Sequence, residues 1–184
     1  YKPSPSFVSI HLGVEKHLIS NTFNCHHIIV ENWDELESEK GVIFVSIPTL
    51  LDSSLAPEGK HIVHAFTPSS MNEWEGLSRK EYLQKKEKYF SFLIDKISII
   101  LPNLKQNIDH KEIGTPKTHK KFLGRYEGSY GPIPSKKLLG LLPMPFNTTK
   151  IKNLYCVGDS CFPGQGLNAV AFSGYACAHK IGAK

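Results

Sequence analysis

The stretch from Leu154 to Gly174 reads LYCVGDSCFPGQGLNAVAFSG and carries the pattern that decides the fold. Its first four residues, 154–157, are apolar, which is typical of a strand buried on both faces of a parallel sheet. The pair Gly158-Asp159 follows directly, then a loop with a proline and two glycines, then a run of small and apolar residues beginning near Leu167 that favours a helix. Strand, acidic turn, glycine-rich loop and helix together predict an α/β unit beside a nucleotide cofactor.

Each part of this stretch has a physical role in that prediction. Gly158 lets the backbone come close to a ligand, because a Cβ atom there would hold the ligand off. Asp159 follows the predicted strand, where a carboxylate can accept hydrogen bonds from sugar-like hydroxyls. Gly164 and Gly166 permit a tight turn that aims amides outward, and the helix after it presents its positive end to an anionic group.

A stripe of small residues runs along the same predicted helix. Ala171, Gly174 and Ala178 are spaced i, i+3 and i+7, so they share one face. Such a face predicts close backbone approach to a neighbouring element. A tightly packed core helix without a ligand would show the same stripe, and the pattern alone favours that interpretation.

The upstream part of the chain predicts a sheet covered by a long helix. Ser78-Arg79-Lys80-Glu81 is a capping-box pattern, which begins an amphipathic helix that we expect to end at Pro102. Residues 108–114 add a strand and residues 118–123 a short helix. Four runs rich in Val, Ile and Phe predict a largely antiparallel sheet, namely Phe7–Gly13, His26–Val30, Gly41–Ile47 and His61–Phe66.

Composition excludes several classes of function. The chain has 184 residues, 40% of them hydrophobic, and a net charge of +5 with scattered lysines. This distribution argues against a nucleic-acid-binding face, which needs dense basic residues interleaved with aromatics. No window is apolar enough to span a bilayer. Four cysteines without a CxxC pair predict buried free thiols and no metal site.

The order of these motifs resembles a known family. The strand, Gly-Asp, the Pro-Gly-x-Gly loop at residues 163–166 and the helix with Ser173-Gly174 are similar to the end of FAD-dependent phytoene desaturases, retinol saturases and carotenoid cis–trans isomerases. Six further short motifs resemble the carotenoid isomerase branch of cyanobacterial or plastid type. They are His11-Leu12-Gly13, His26-His27-Ile28, Leu55-Ala56-Pro57, Trp74-Glu75-Gly76-Leu77, Gly114-Thr115-Pro116 and Tyr130-Gly131-Pro132.

The resemblance implies a cofactor, a reaction and a set of contact residues. The cofactor would be FAD, with Asp159 at the ribityl chain and the helix N-terminus at the pyrimidine oxygens of the flavin. The activity would be conversion of poly-cis-lycopene to all-trans-lycopene. Net desaturation or saturation of a polyene, or a non-catalytic module, are the alternatives, and no catalytic residue can be named. The implied cofactor-binding residues are Gly158, Asp159, Pro163, Gly164, Gly166, Leu167 and Asn168.

The family's N-terminal strand and GxGxxG unit have no counterpart in this sequence. We therefore expect a C-terminal fragment of α/β class, in which residues 1–127 form part of an α+β substrate domain with a mixed sheet. Residues 128–184 would return the last strand and helix to a Rossmann-like FAD domain. Without the phosphate-binding unit, we expect the isolated fragment to be inactive and to lack FAD. For the segment after about Gly128 we expect one of three outcomes: poor order, pairing with another copy through exposed strand edges, or the presence of the missing half in the same particle.

Single residues outside the motif suggest weaker hypotheses. Lys136 and Lys137 precede an apolar run at residues 138–142, which suits either a peripheral membrane contact or burial against the flavin domain. The protein would then be cytoplasmic or in the plastid stroma, with a carotenoid as its substrate.

His26-His27 would point to opposite faces of a strand. His119 lies in a lysine-rich helix and is predicted to be at the surface, and Trp74 is either a lid or a cap on the sheet.

Overall fold

The computed structural model describes residues 2–36, 38–133 and 144–182. The chain divides into two compact units, of which one is Pro5–Gly128 and the other combines Tyr1–Ser4 with Ser129–Lys184. None of the helices in the described residues is both long and apolar enough to cross a bilayer. The strands are β1 (Lys2–Pro3), β2 (Ser6–Glu15), β3 (His26–Val30), β4 (Val42–Ser46), β5 (Lys60–Ser69), β6 (Ile108–Gly114) and β7 (Pro132–Ile133), and the helices are α1 (Arg79–Ile97), α2 (Pro116–Leu123) and α3 (Leu167–Gly182).

The Pro5–Gly128 unit is built on a five-stranded sheet in the order β3-β4-β5-β2-β6. All five strands were predicted from the sequence. Every pairing in the sheet is antiparallel, so the sheet is not mixed as expected. The α/β fold class is confirmed, and β2 lies between β5 and β6, two strands that follow it in the sequence.

One face of the sheet forms the hydrophobic core. Alternate residues of β2 point to this face, because successive side chains of a strand point to opposite sides. Helix α1 covers it with one apolar stripe. The buried residues of β2 are Val8, Ile10, Leu12 and Val14, and those of α1 are Tyr89, Leu93, Ile94 and Ile97.

The predicted capping box begins α1. The Ser78 Oγ accepts a hydrogen bond from the Glu81 amide at 3.3 Å, and the Glu81 carboxylate accepts one from the Ser78 amide at 2.8 Å. The helix ends at Ile97, ahead of Pro102, and the Leu101 amide still bonds to the Ile97 carbonyl at 2.9 Å. A turn therefore separates the end of the helix from the proline that was expected to stop it.

Trp74 is a core residue. Its side chain is fully buried, and its indole N–H donates to the Ser69 Oγ at 2.9 Å. The Ser69 Oγ also lies 3.1 Å from the Tyr89 hydroxyl, with the Trp74 and Tyr89 rings 5.4 Å apart. Trp74 thus joins the sheet to α1, and it does not form a lid.

Candidate functional site

The glycine-rich loop lies in the unit that combines Tyr1–Ser4 with Ser129–Lys184, in the part that the structure describes from Met144 onward. Gly158 and Gly166 have φ angles of +109° and +102°, a region that residues with a Cβ rarely adopt. A Cβ atom built at either position meets nothing within 4 Å. The two glycines are therefore required by the backbone conformation, and the space beside them is open to a ligand.

The predicted strand at residues 154–157 is not formed. Its only ladder contact among the described residues is a single bridge between Tyr155 and Thr148. Leu154 is 47% exposed and Val157 is 56% exposed. A strand buried on both faces needs a neighbour on each side and layers above and below it, and the described part of the chain supplies neither.

A polar network holds the loop to α3 instead. The Ser173 Oγ, on the first turns of α3, is fully buried and accepts hydrogen bonds from the Gly158 amide at 3.2 Å and from the Asn147 side-chain amide at 3.0 Å. Asn147 also donates to the Cys156 carbonyl at 2.9 Å, and its own carbonyl accepts from the Cys156 amide at 2.9 Å. This arrangement fixes the position at which the backbone turns at Gly158.

Asn147 was not predicted as a site residue. It lies in a connecting segment without periodicity, where no local pattern distinguishes a structural amide from a solvated one. Ser173 was part of the Ser173-Gly174 motif that resembles the family, but it was not predicted as a site residue. The signal that could have found both is their pairing in space, which a single sequence does not carry.

Asp159 is half-buried at the start of the loop. The Ser160 hydroxyl donates to its Oδ1 at 3.3 Å. A Cβ atom at Gly131 would lie 3.7 Å from the Asp159 carboxylate and 3.5 Å from the Gln165 amide nitrogen, so Gly131 brings the backbone close to both side chains. The carboxylate thus lies where the residue before β7 approaches the glycine-rich loop.

The N-terminus of α3 faces outward from the loop. Leu167 is 83% exposed and Asn168 is exposed as well. The Val170 amide bonds to the Gly166 carbonyl at 2.9 Å and opens the helical ladder, so the amides of Leu167 and Asn168 precede the first i to i−4 bond. These amides and the positive end of the helix suit an anionic or carbonyl oxygen.

All seven predicted cofactor-binding residues therefore lie along one loop and the helix start that follows it. Pro163 is exposed in this loop, and a Cβ at Gly164 would be 3.8 Å from the Met144 Cγ. Their open glycines, carboxylate and outward amides fit a nucleotide cofactor. Contact with such a cofactor stays a prediction.

The small-residue stripe of α3 does not pack closely within the described chain. A Cβ at Gly174 meets nothing within 4 Å, and Ala171 and Ala178 are exposed. The close-packing interpretation is wrong for the described residues, because the buried side of α3 is the one that carries Ser173 and Cys177.

The four cysteines are free thiols. Cys161 and Cys177 are buried, as predicted, whereas Cys156 is exposed. Burial raises the pKa of Cys161, and the neighbouring Cys156, Cys177 and Asp159 raise it further. Among the described residues there is no group of three or more His, Cys, Asp or Glu side chains that could hold a metal ion.

The face of the sheet opposite α1 is apolar and aromatic. The Phe44 and Phe66 rings stack with centroids 4.8 Å apart, and Phe7 meets Phe66 edge-on at 5.7 Å. At the sheet edge this face continues into a groove of about 540 Å³, which is lined by Ile28, Val30, Trp33, Leu36, Val42 and Phe44.

A pair of histidines lies on the same face. His11 of β2 and His64 of β5 are directly opposite in register, and their rings stack at 4.3 Å. Burial lowers the pKa of His64, and the neighbouring His11 lowers it further. His26 is exposed and bonds to Ser46, whereas His27 is half-buried against the Phe23 ring, as expected for adjacent strand residues.

His119 is buried, which corrects its predicted surface position. It is 8% exposed and stacks on Phe7 with ring centroids 4.0 Å apart. It lies one turn after Pro116 on the face of α2 that contacts the sheet, and the lysines around it occupy the other faces. Burial lowers the pKa of His119. Its Nε2 has no hydrogen-bond partner among the described residues.

The chain is similar over its whole length to plant prolycopene isomerases. No family model matches the chain. The whole chain is 57% identical over 185 aligned positions to prolycopene isomerase 2, chloroplastic, of an Oncidium hybrid cultivar and covers 32% of that protein. It is 54% identical to prolycopene isomerase, chloroplastic, of Arabidopsis thaliana, again over the whole chain and 31% of that protein. The chain thus spans about a third of the length of these relatives.

A solved structure supports the fold. The crystal structure of an oxidoreductase from Methanosarcina mazei superposes with a TM-score of 0.52 at 14% sequence identity. The match covers 96% of this chain and 35% of that chain. At this identity the likeness establishes the fold alone.

Proposed function

Because the whole chain is homologous to about a third of the plant prolycopene isomerases, we propose that it is the C-terminal part of a longer carotenoid cis–trans isomerase. The substrate is poly-cis-lycopene and the product all-trans-lycopene. The observation that carries the proposal is the identity of 57% and 54% over every part of the chain. The longer protein would supply the phosphate-binding unit that this sequence lacks.

The open face of the sheet suits a polyene. A carotene hydrocarbon has no hydrogen-bonding groups, so its binding energy comes from apolar contact and the removal of water. Phe44 and Phe66 offer flat aromatic surface on that face, next to Phe7, whose ring is covered by His119 of α2. We propose that residues 1–127 form the substrate domain and that the paired His11 and His64 are the polar groups nearest to the bound chain.

The glycine-rich loop suits FAD. Asp159 would accept hydrogen bonds from the ribityl hydroxyls, and the amides of Leu167 and Asn168 would donate to the pyrimidine oxygens of the flavin. Gly158, Pro163, Gly164 and Gly166 would let the loop pass close to the ring system. Bound FAD would supply the electron or hydride exchange that temporarily removes the π character of a cis double bond.

The residues of this chain would then act by positioning and by excluding water. A cis–trans change leaves the substrate with the same number of hydrogens, so the site needs no net electron supply. The apolar sheet face holds the polyene extended, and the network of Ser173, Asn147 and Gly158 keeps the loop in one conformation. A rigid, dry site favours rotation about the weakened bond over side reactions.

We propose the plastid as the location, since both relatives are described as chloroplastic. The carotenoid substrate implies contact with lipid, as a peripheral association. Residues 136–142, on which the sequence-based prediction of this contact depended, lie outside the described residues. Self-association through strand edges is a further expectation for the isolated chain, which we propose to be inactive by itself.

Product analysis on the whole protein tests the proposal. The purified protein would be supplied with FAD, a reductant and poly-cis-lycopene in detergent, and the products separated by chromatography and weighed by mass spectrometry. We expect all-trans-lycopene of unchanged mass. A product that has lost or gained two hydrogens would identify a desaturase or a saturase, and recovery of unchanged substrate would contradict the isomerase proposal.

A further inference from the structure

A basic and aromatic surface lies at the C-terminal end of α2. Phe122 is 73% exposed, Leu123 63% and Tyr126 72%. Lys120 and Lys121 are also exposed, and the Lys121 Nζ lies 5.0 Å from the centroid of the Phe122 ring. These five residues are called the α2 patch below.

The geometry of α2 explains why the patch is uncovered. Phe122 and Leu123 follow His119 by three and four residues, so all three lie on one side of the helix. His119 is buried against the sheet, whereas the last turn of the helix extends past it. The helix ends at Leu123, the following Gly124 has a φ of +63°, and residues 126–128 then pack back against α2. This turn places the exposed Tyr126 next to α2.

The charges around the patch indicate what binds there. Within the described part of the chain neither Lys120 nor Lys121 forms an ion pair. The sequence neighbour Lys117 is also basic, and the acidic residue nearest in the sequence, Glu127, is half-buried. By contrast, the exposed Trp33 is followed directly by the acidic Asp34 and Glu35. Exposed apolar side chains beside two lysines match an anionic lipid surface, in which the rings enter the headgroup region and the ammonium groups meet phosphate.

We propose that the α2 patch docks the protein on an anionic lipid bilayer. The surface itself is independent of the reaction, and only its purpose rests on the proposed function, because a carotene hydrocarbon is dissolved in lipid and not in water. Phe122, Leu123 and Tyr126 would supply the apolar contact. Lys120 and Lys121 would supply the preference for negatively charged headgroups, with their stems lying along the bilayer surface.

Vesicle flotation of the whole protein tests this inference. The vesicles would be phosphatidylcholine alone or an equal mixture of phosphatidylcholine and phosphatidylglycerol. We expect binding to the mixed vesicles that weakens with salt. The double variant Lys120→Gln with Lys121→Gln should bind about 30-fold more weakly, since each lysine near an anionic surface contributes about 1 kcal/mol. Lys80→Gln with Lys88→Gln on α1 changes the net charge equally and should leave binding unchanged.

A second variant tests the apolar contact. Replacing Phe122, Leu123 and Tyr126 by alanine should reduce binding to both kinds of vesicle at least tenfold, while Leu51→Ala, which removes a side chain that is 78% exposed, should not. If the triple variant instead lowers the unfolding temperature and leaves vesicle binding intact, the patch is covered by another part of the protein and the proposal is wrong. Native binding by the lysine variant would also overturn it.

Activity measured in detergent separates this proposal from the proposed function. A patch variant that isomerises detergent-dissolved poly-cis-lycopene normally, and fails only on substrate held in mixed vesicles, supports both. A native protein that binds vesicles through the patch but isomerises nothing in detergent would refute the isomerase assignment and leave the docking surface standing.

Discussion

Replacing Ser173 by alanine should release the turn at Gly158. The Ser173 Oγ is fully buried and accepts two hydrogen bonds, from the Gly158 amide and from the Asn147 side chain. Asn147 keeps the Cys156 and Ser173 carbonyls as acceptors, but the Gly158 amide loses its partner. Two bonds at about 1 kcal/mol each, less about 0.5 kcal/mol for the better helix propensity of alanine, leave a cost of about 1.5 kcal/mol.

This cost is measurable as hydrogen exchange. In the whole protein, the peptide that covers residues 154–161 should exchange about tenfold faster in the Ser173→Ala variant, because 1.4 kcal/mol corresponds to a factor of ten. Ser160→Ala is the matched control, since its exposed hydroxyl donates only to Asp159 at 3.3 Å and its loss should change exchange little. Equal exchange in Ser173→Ala and the native protein would refute the role of this serine.

Three further predictions follow from contacts described above. Asp159→Ala should weaken FAD retention by about 1.5–3 kcal/mol, measured by flavin release on dilution, and unchanged flavin content would exclude the ribityl contact. Gly114→Ala should lower the free energy of unfolding of the sheet unit, Pro5–Gly128, by about 1–3 kcal/mol in denaturant titrations. The reason is that the new Cβ would lie 2.6 Å from the Ser9 Oγ and 3.2 Å from the His119 ring. Gly174→Ala is the control, since its Cβ would meet nothing within 4 Å and the change should be neutral or slightly stabilising. Burial lowers the pKa of His61, His64 and His119 from an ordinary value of about 6.5, so the unfolded chain binds protons at these residues before the folded chain does. The free energy of unfolding should therefore fall as the pH drops below about 6.5, and His119→Gln should make this fall less steep. A free energy of unfolding that is independent of pH between about 7.5 and 5 would contradict the burial of the imidazoles.

Periodicity and capping predicted most of the sheet unit because both are local. The limits of β3 and β6 match the predicted runs, and the Ser78-Glu81 box begins α1 as expected. A strand with alternating burial and a helix with one apolar stripe leave their period in the sequence whatever their partners are.

Residues whose state depends on distant partners were predicted less well. The run at 154–157 has the composition of a buried strand, yet it remains exposed because strand formation needs a neighbour to bond with. His119 was assigned to the surface from its lysine neighbours, but burial of a helical residue depends on its angle around the axis. Asn147 gave no local signal, because its partner Ser173 is 26 residues away.

The chain enters and leaves the sheet unit at adjacent points. β1 pairs with β7, the Ser4 amide donates to the Gly131 carbonyl at 2.9 Å, and the Ser4 Oγ accepts from the Tyr130 amide at 2.9 Å. Within the sheet unit, the Ser6 Oγ donates to the Gly128 carbonyl at 2.6 Å. In the sequence, the sheet unit Pro5–Gly128 is therefore an insertion between the two segments of the other unit, Tyr1–Ser4 and Ser129–Lys184. Because the two ends of this insertion meet at Ser6 and Gly128, the sheet unit can change in sequence or length without lengthening the connections to the segments that flank it.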